Sequence, residues 1–339
     1  MPDATRSLVT GCGGFLGAEI VRQLLRRGDR VVGISRGSYP ELVELGMTHV
    51  RGDLTCRDFV LDQVRDVDAV IHTAALAGVW GDWSRYFQTN VSATRHLIDA
   101  CRQNKIGRLV YTSSPSVTFT VDDQSGVDES VPYPSRWLCH YPKSKAMAER
   151  DVLAAHAPPD LATCSLRPHL IWGPGDPHLL PRVVQRARSR KLRIVGDGKN
   201  LVDMVYVVNA AAAHLCAVDT LALNPDQAGG RAYFVAQDEP VALWPWIEKF
   251  CQSAGVSFSG RRVPFRVAYG LGGALEAAYR MTGRDSEPPM TRFVAAQLAK
   301  DHYFDVSAAA ERLGYRPSVT MDEGLRLTAD YLRELGGSS

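Results

Sequence analysis

Tyr141 and Lys145 stand four residues apart in "YPKSK", the one place in the chain where a tyrosine precedes a lysine by that interval. On a helix, two such side chains share a face. A free tyrosine titrates near about pH 10, too high for ready proton exchange near neutrality. A neighbouring ammonium favours the phenolate and lowers that value. The pair is therefore a candidate proton donor with its electrostatic partner, serving a carbonyl oxygen. A solvated helix face explains the same spacing, so the decision rests on where the rest of the chain puts the two residues. A serine hydroxyl beside them would fix the carbonyl oxygen, and "RLVYTSS" (Arg108 to Ser114) ends in Ser113 and Ser114.

A second constellation lies near the start. "TGCGGFLG" places Gly11, Gly14 and Gly17 at three-residue intervals, between an apolar run, "SLVT", and a segment with helical spacing in which Leu16, Ile20, Leu24 and Leu25 share a face. Such a loop gives a tight turn, a close backbone approach to a pyrophosphate and close helix–strand packing. The free N–H groups of the helix start then face the anion. About 20 residues on, a chain selective for NAD carries an acid for the ribose 2′-hydroxyl. Here that position reads Ser35 followed by Arg36, a hydroxyl and a guanidinium suited to a 2′-phosphate. The expected cofactor is NADP(H). Asp53, in "RGDLT", serves either the adenine amino group or a helix N-cap.

The elements that must position these residues follow from apolar runs alternating with helical spacing. "SLVT" (7–10), "RVVGIS" (30–35), "AVIHTAA" (69–75), "RLVYTSS" (108–114) and "TCSLRPHLIWG" (163–173) read as buried strands. Alternation of this kind predicts an α/β fold, a Rossmann-type doubly wound parallel sheet covered on both faces. In such a sheet the strand ends share one edge with the glycine loop, so Ser114, Tyr141 and Lys145 converge where a nicotinamide ring would lie. Asn90, in "QTNVSAT", either adds a polar contact at that edge or is a helix-interior structural residue. After about Pro174 the pattern loosens. The expectation is a dinucleotide-binding unit over 1–173, with excursions near 200–220 and 231–237, and a smaller, mainly helical substrate lid over 174–199 and 238–339.

Composition removes other classes. The 339 residues are 45% hydrophobic and 22% charged, as in ordinary globular proteins, and the net charge of +2 gives no basic field for nucleic acid. Seven dispersed cysteines without a CxxC pair or zinc spacing read as reduced thiols, and no metal site is expected. The N-terminus lacks the features of a signal peptide, and the most apolar stretch, Val267 to Tyr279, is too short to span a bilayer and contains Glu276. The expected location is cytoplasmic.

At these residues the chain resembles the extended short-chain dehydrogenase/reductase family over about residues 7–335. The resemblance is carried by the glycine loop, "DL" at Asp53–Leu54, "NVSAT", the Ser…Tyr-x-x-x-Lys set and "RPHLIWGPGD" (Arg167 to Asp176). It implies catalytic roles for Ser114, Tyr141 and Lys145. Ser114 is preferred over Ser113 because Val117 follows it at the family's spacing. It also implies cofactor contacts from Phe15, Leu16, Leu54, Ala74, Pro168 and Leu170, with Lys145 reaching the nicotinamide ribose. Nucleotide-sugar enzymes of the family carry an arginine in the stretch matching "LVDMVYVVNAA" (Leu201 to Ala211). Here an apolar residue replaces it, and the stretch is similar to the 3β-hydroxysteroid dehydrogenase branch.

Within that branch, "SRGSYPELVELG", "ALAGVWGDWSRYFQTNV" and "EPPMTRFVAAQLAKDHYFDVS" resemble the ketoreductases of bacterial long-chain olefin and β-lactone biosynthesis. This implies NADPH-dependent reduction of a long-chain 2-alkyl-3-oxoalkanoate, a β-keto acid, to the 3-hydroxy acid. Assembly with neighbouring pathway enzymes and a homodimer are also implied. Two other readings stay open: a 3β-hydroxysteroid or sterol-carboxylate dehydrogenase, and a non-catalytic NADP-binding sensor or scaffold. An apolar ligand suits Trp80, Trp83 and Tyr86 and the helical stretches 265–281 and 288–298. Ordinary packing or a peripheral membrane surface would explain them too. For a substrate carboxylate the candidate cations are Arg182, His169 and Arg292. "RARSRKLR" (Arg186 to Arg193) reads as a solvated face.

Overall fold

The computed structural model describes residues 5–237 and 239–337. Residues 1–4 of the expected first unit, and 238, 338 and 339 of the expected lid, lie outside the described residues. Seven strands form one sheet: β1 (Arg6–Thr10), β2 (Arg30–Ser35), β3 (Thr48–Arg51), β4 (Ala69–His72), β5 (Arg108–Thr112), β6 (Ala162–Pro168) and β7 (Ala232–Val235). Their order is β7-β6-β5-β4-β1-β2-β3, every pairing parallel. This is a Rossmann-like sheet.

Neighbouring residues on the central strands enter opposite cores, as the period of two requires. Val9, Ile71 and Val110 pack with helices α1 (Phe15–Arg27) and α4 (Val207–Leu223). Leu8, Val70 and Leu109 pack with α2 (Ala93–Gln103) and α3 (His140–Ala154). A third apolar cluster, built around Trp172, Trp244, Trp246 and Phe250, belongs to the mainly helical C-terminal region, which includes α5 (Phe265–Met281). Among the described residues no helix is long and apolar enough to cross a membrane, and no cluster of His, Cys, Asp and Glu is placed to hold a metal.

The strand expected over 163–173 is broken. β6 ends at Pro168, and Ile171–Trp172 pairs instead with Val205–Tyr206. Leu170 takes φ +40° between the two pieces, so the chain turns out of the sheet there. The strands expected to run to Ala75 and Ser114 stop at His72 and Thr112. The stretch between β5 and α3 contributes Gln124–Val127 to a four-stranded sheet with Leu201–Val202, Val241–Ala242 and His302–Phe304.

Helix α3 is anchored by a buried ion pair. Glu149 is fully buried and Arg167 on β6 is 3% exposed. The guanidinium donates through Nε and Nη2 at 2.7–3.2 Å, and Ser165 and Tyr133 donate hydroxyls to the same carboxylate. Burial alone would raise the Glu149 carboxyl, but the charge and hydrogen bonds of Arg167 overcome it and hold it below its usual range. Removing one member of such a pair strands the other. Arg167→Met is expected to cost about 3–5 kcal/mol of stability, measured by urea unfolding.

Candidate active site

The glycine loop forms a cradle. Gly11 has φ +67°, and a Cβ at Gly17 would lie 2.2 Å from the Gly11 carbonyl oxygen, so only glycine lets α1 start this close to β1. No side chain caps α1 at Gly14, which leaves its first N–H groups for an anion. A cavity of about 380 Å³ opens there. Gly11, Gly14, Phe15, Leu16, Gly17, Ser35, Arg36, Asp53, Leu54 and Ala74 all line it, as do Tyr39 and Thr73. The cradle, the uncapped helix and the cavity fit a dinucleotide.

At the ribose end, Ser35 shares a 2.8 Å hydrogen bond with His49, and Arg51 donates to the Arg36 carbonyl at 2.9 Å. Neither His49 nor Arg51 was singled out from the sequence; both lie on β3, whose register against β2 brings them there. Asp53 accepts from the Thr55 backbone N–H at 2.9 Å while lining the cavity.

The strand and helix ends bring Ser114, Tyr141 and Lys145 together. Ser114 accepts from the backbone N–H and the hydroxyl of Ser116, which leaves its own O–H to donate. The nearby Ser114 hydroxyl favours the phenolate, yet burial dominates and pushes Tyr141 up to about 12. Ser113 is buried instead, its backbone N–H on the Leu166 carbonyl. Lys145 is 2% exposed. Its Nζ donates to the Thr112 carbonyl at 2.5 Å and sits 4.2 Å over the Tyr111 ring, and burial brings it down to about 7. The expected depression of Tyr141 by Lys145 is therefore not seen here: the ammonium is directed at the strand end.

Asn90 proves structural. It lies in a π-helical turn, Phe87–Ser92; its amide nitrogen donates to the Leu76 carbonyl and to Ser144, and its oxygen accepts from the Leu76 N–H. Ser144 in turn donates to the Tyr141 carbonyl. Pro168 ends β6, and Leu170 occupies the turn just after it; the dinucleotide cavity includes neither.

A second cleft, of about 830 Å³, lies between the Val79–Trp83 loop, the start of α3 and helix α5 of the C-terminal region. Trp80, Trp83 and Arg292 line it. Tyr86 lies beneath, its hydroxyl on the carbonyls of Gly78 and Trp80. The three cations expected for a substrate carboxylate all have partners within the protein. Arg292 is tied to the buried carboxylate of Glu276 through Nε at 3.0 Å and Nη2 at 2.8 Å. Arg182 is paired with Glu287. His169 is buried and uncharged, 2.6 Å from His302, and burial holds it well below its ordinary value. Lys143, His140 and Arg280 also line the cleft. They went unnoticed, although Lys143 stands inside "YPKSK".

The dinucleotide cradle and the Ser–Tyr–Lys cluster beside it define an oxidoreductase of the nicotinamide-dependent class. Residues 8–265 match the 3-beta hydroxysteroid dehydrogenase/isomerase family, and the chain belongs to it. It is 46% identical to 2-alkyl-3-oxoalkanoate reductase of Shewanella oneidensis, over 95% of this chain and 85% of that one. It is 44% identical to the protein of that name from Stenotrophomonas maltophilia, over 94% and 97%. Human sterol-4-alpha-carboxylate 3-dehydrogenase, decarboxylating, is 31% identical over 98% and 89%. Among solved structures, MoeE5 in complex with UDP-glucuronic acid and NAD superposes with a TM-score of 0.72 at 26% identity, over 97% of this chain and 99% of that one.

The buried lysine has a signature in stability. Its folded value of about 7 lies below the unfolded value of about 10.4. Between these the unfolded chain holds more protons, so stability rises with pH; below the folded value both states are protonated and the full cost of the buried charge remains. Lys145→Met should flatten this rise in thermal midpoints recorded from pH 6 to 10.

Proposed function

We propose that this protein uses NADPH to reduce a long-chain 2-alkyl-3-oxoalkanoate to the 3-hydroxy acid, with Tyr141 as general acid. What carries the chemistry is Ser114 placed beside Tyr141, with Lys145 buried one turn further along the same helix face. Ser114 would hold the ketone oxygen and Tyr141 would give it a proton, while Lys145 would lower the phenol once its ammonium turns from the Thr112 carbonyl. When bound, the nicotinamide supplies the hydride. A β-keto acid loses CO2 easily, and reducing the ketone closes that route.

Two relatives named as 2-alkyl-3-oxoalkanoate reductases, matched over nearly the whole chain, support the substrate class. The large cleft walled by Trp80, Trp83, Trp137 and Tyr279 suits alkyl chains. NADPH over NADH rests on Ser35 and Arg36 lining the cavity, on the arginine loop propped by Arg51, and on the lack of an acid at the end of β2. The sterol-carboxylate reading is favoured only by the more distant relatives. On the proposed reading the enzyme works in the cytoplasm with its cysteines reduced.

The deciding assay follows NADPH oxidation at 340 nm with a 2-alkyl-3-oxo acid, beside a 3-ketosteroid and beside NADH. Keto-acid turnover that falls about 10²–10⁴-fold in Tyr141→Phe is expected. Turnover of the steroid alone would transfer the chain to the sterol reading, and cofactor binding without turnover would favour a sensor. Arg36→Ala should raise the KM for NADPH roughly tenfold or more while leaving that for NADH nearly constant, since only NADPH carries the phosphate this cation would meet.

A further inference from the structure

The serine at the end of β2 has one proton to give, and a neighbour decides where it goes. Ser35 lines the dinucleotide cavity beside Arg36. Its Oγ lies 2.8 Å from Nε2 of His49 on the adjoining strand β3. A hydroxyl is a single O–H donor with two acceptor lone pairs, whereas an imidazole nitrogen either donates or accepts. Where Nε2 is bare, Ser35 gives its proton to the ring and turns lone pairs to the cavity. Where Nε2 carries the proton, the ring donates to Ser35 and the serine O–H is free for the cavity. The buried Cys12 thiol also lies close to Ser35, but a thiol is a weak partner and does not set this direction.

The imidazole is held in place for this contact. His49 is half-buried, and its ring meets that of Tyr39 edge-on, at 6.0 Å and 89°. Tyr39 lines the same cavity and lies flush on the glycine loop, where a Cβ at Gly13 would come within 2.0 Å of its ring. Arg51, two residues along β3 and so on the same face as His49, donates to the Arg36 carbonyl. One strand thus supports both of the residues that a 2′-phosphate would meet.

We propose that His49 is a positioning residue for NADPH: it donates Nε2–H to Ser35 and so commits the serine O–H to the 2′-phosphate. This rests on the NADPH reading above and adds the residue that makes Ser35 a donor. A phosphate dianion only accepts hydrogen bonds. A serine that had given its proton to the ring would meet it lone pair to lone pair. A ribose 2′-hydroxyl both donates and accepts, so either direction satisfies NADH. The contribution of His49 is therefore confined to the phosphorylated cofactor, where an ionised acceptor strengthens the bond.

The test is calorimetric titration of the nucleotide-free protein with adenosine 2′,5′-bisphosphate and with adenosine 5′-monophosphate, which differ only in the 2′-phosphate. The proteins are wild type, His49→Leu, His49→Gln, Ser35→Ala and the double variant Ser35→Ala/His49→Leu. A hydrogen bond to a charged acceptor corresponds to roughly a tenfold effect. His49→Leu should weaken the bisphosphate by about that factor and leave the monophosphate nearly constant. His49→Gln, whose amide N–H replaces Nε2–H, should restore most of the loss. In the Ser35→Ala background His49→Leu should add nothing, because the serine it acts through is gone. No loss in His49→Leu, an equal loss on both nucleotides, or an undiminished loss in the Ser35→Ala background overturns the assignment. Wild type that binds the two nucleotides equally overturns the NADPH reading, and this proposal with it.

Discussion

The carboxylate of Glu149 is the fixed point of the structure. Tyr141, Lys145 and Glu149 follow one another at four-residue intervals along α3, so one helix face carries the phenol, the ammonium and the anchor. The anchor is deepest, where a lone carboxylate could not stay charged. Arg167, Ser165 and Tyr133 satisfy it from the sheet and from the preceding loop. This sets the height and rotation of α3 against β6, and hence the place of the phenol relative to Ser114 at the end of β5. Catalytic groups need placement to within about half an ångström. A buried, multiply bonded charge gives that tolerance better than apolar packing, which allows sliding.

The same logic recurs in the helical C-terminal region. Glu276 lies buried in α5, and its partner Arg292 lies sixteen residues on. The pair locks α5 to the segment that follows it. Arg292, one of the cations expected for a substrate carboxylate, thus spends hydrogen bonds on holding the architecture. Two other cations of the cleft, Lys143 and Arg280, lie over the indole rings of Trp83 and Trp80.

What could be read from the chain divides along these lines. The glycine loop, the strand-and-helix alternation and the Tyr–Lys spacing are local patterns, so they announce themselves. The break after Pro168 hinges on Leu170 taking a positive φ, which no apolar pattern signals in a leucine. The four-stranded sheet is made of strands two to four residues long drawn from distant segments, too short to show a period. His169 read as a free cation because its partner, His302, is 133 residues away. Tertiary pairing decided each of these, and it leaves no trace in neighbouring residues.

The π-helical turn at Phe87–Ser92 bears on how this chain tolerates change in length. A π turn holds one residue more than an α-helical turn, and here the turn carries Asn90, which clamps the Leu76 loop to Ser144 on α3. Losing a single residue from the segment would restore a regular helix and rotate Asn90 by about 100°, releasing both partners at once. Substitutions around this turn can accumulate one at a time, but a one-codon deletion is a discontinuous step that separates the loop carrying the indoles from the helix carrying the phenol. The length of this segment is thus constrained more tightly than its composition.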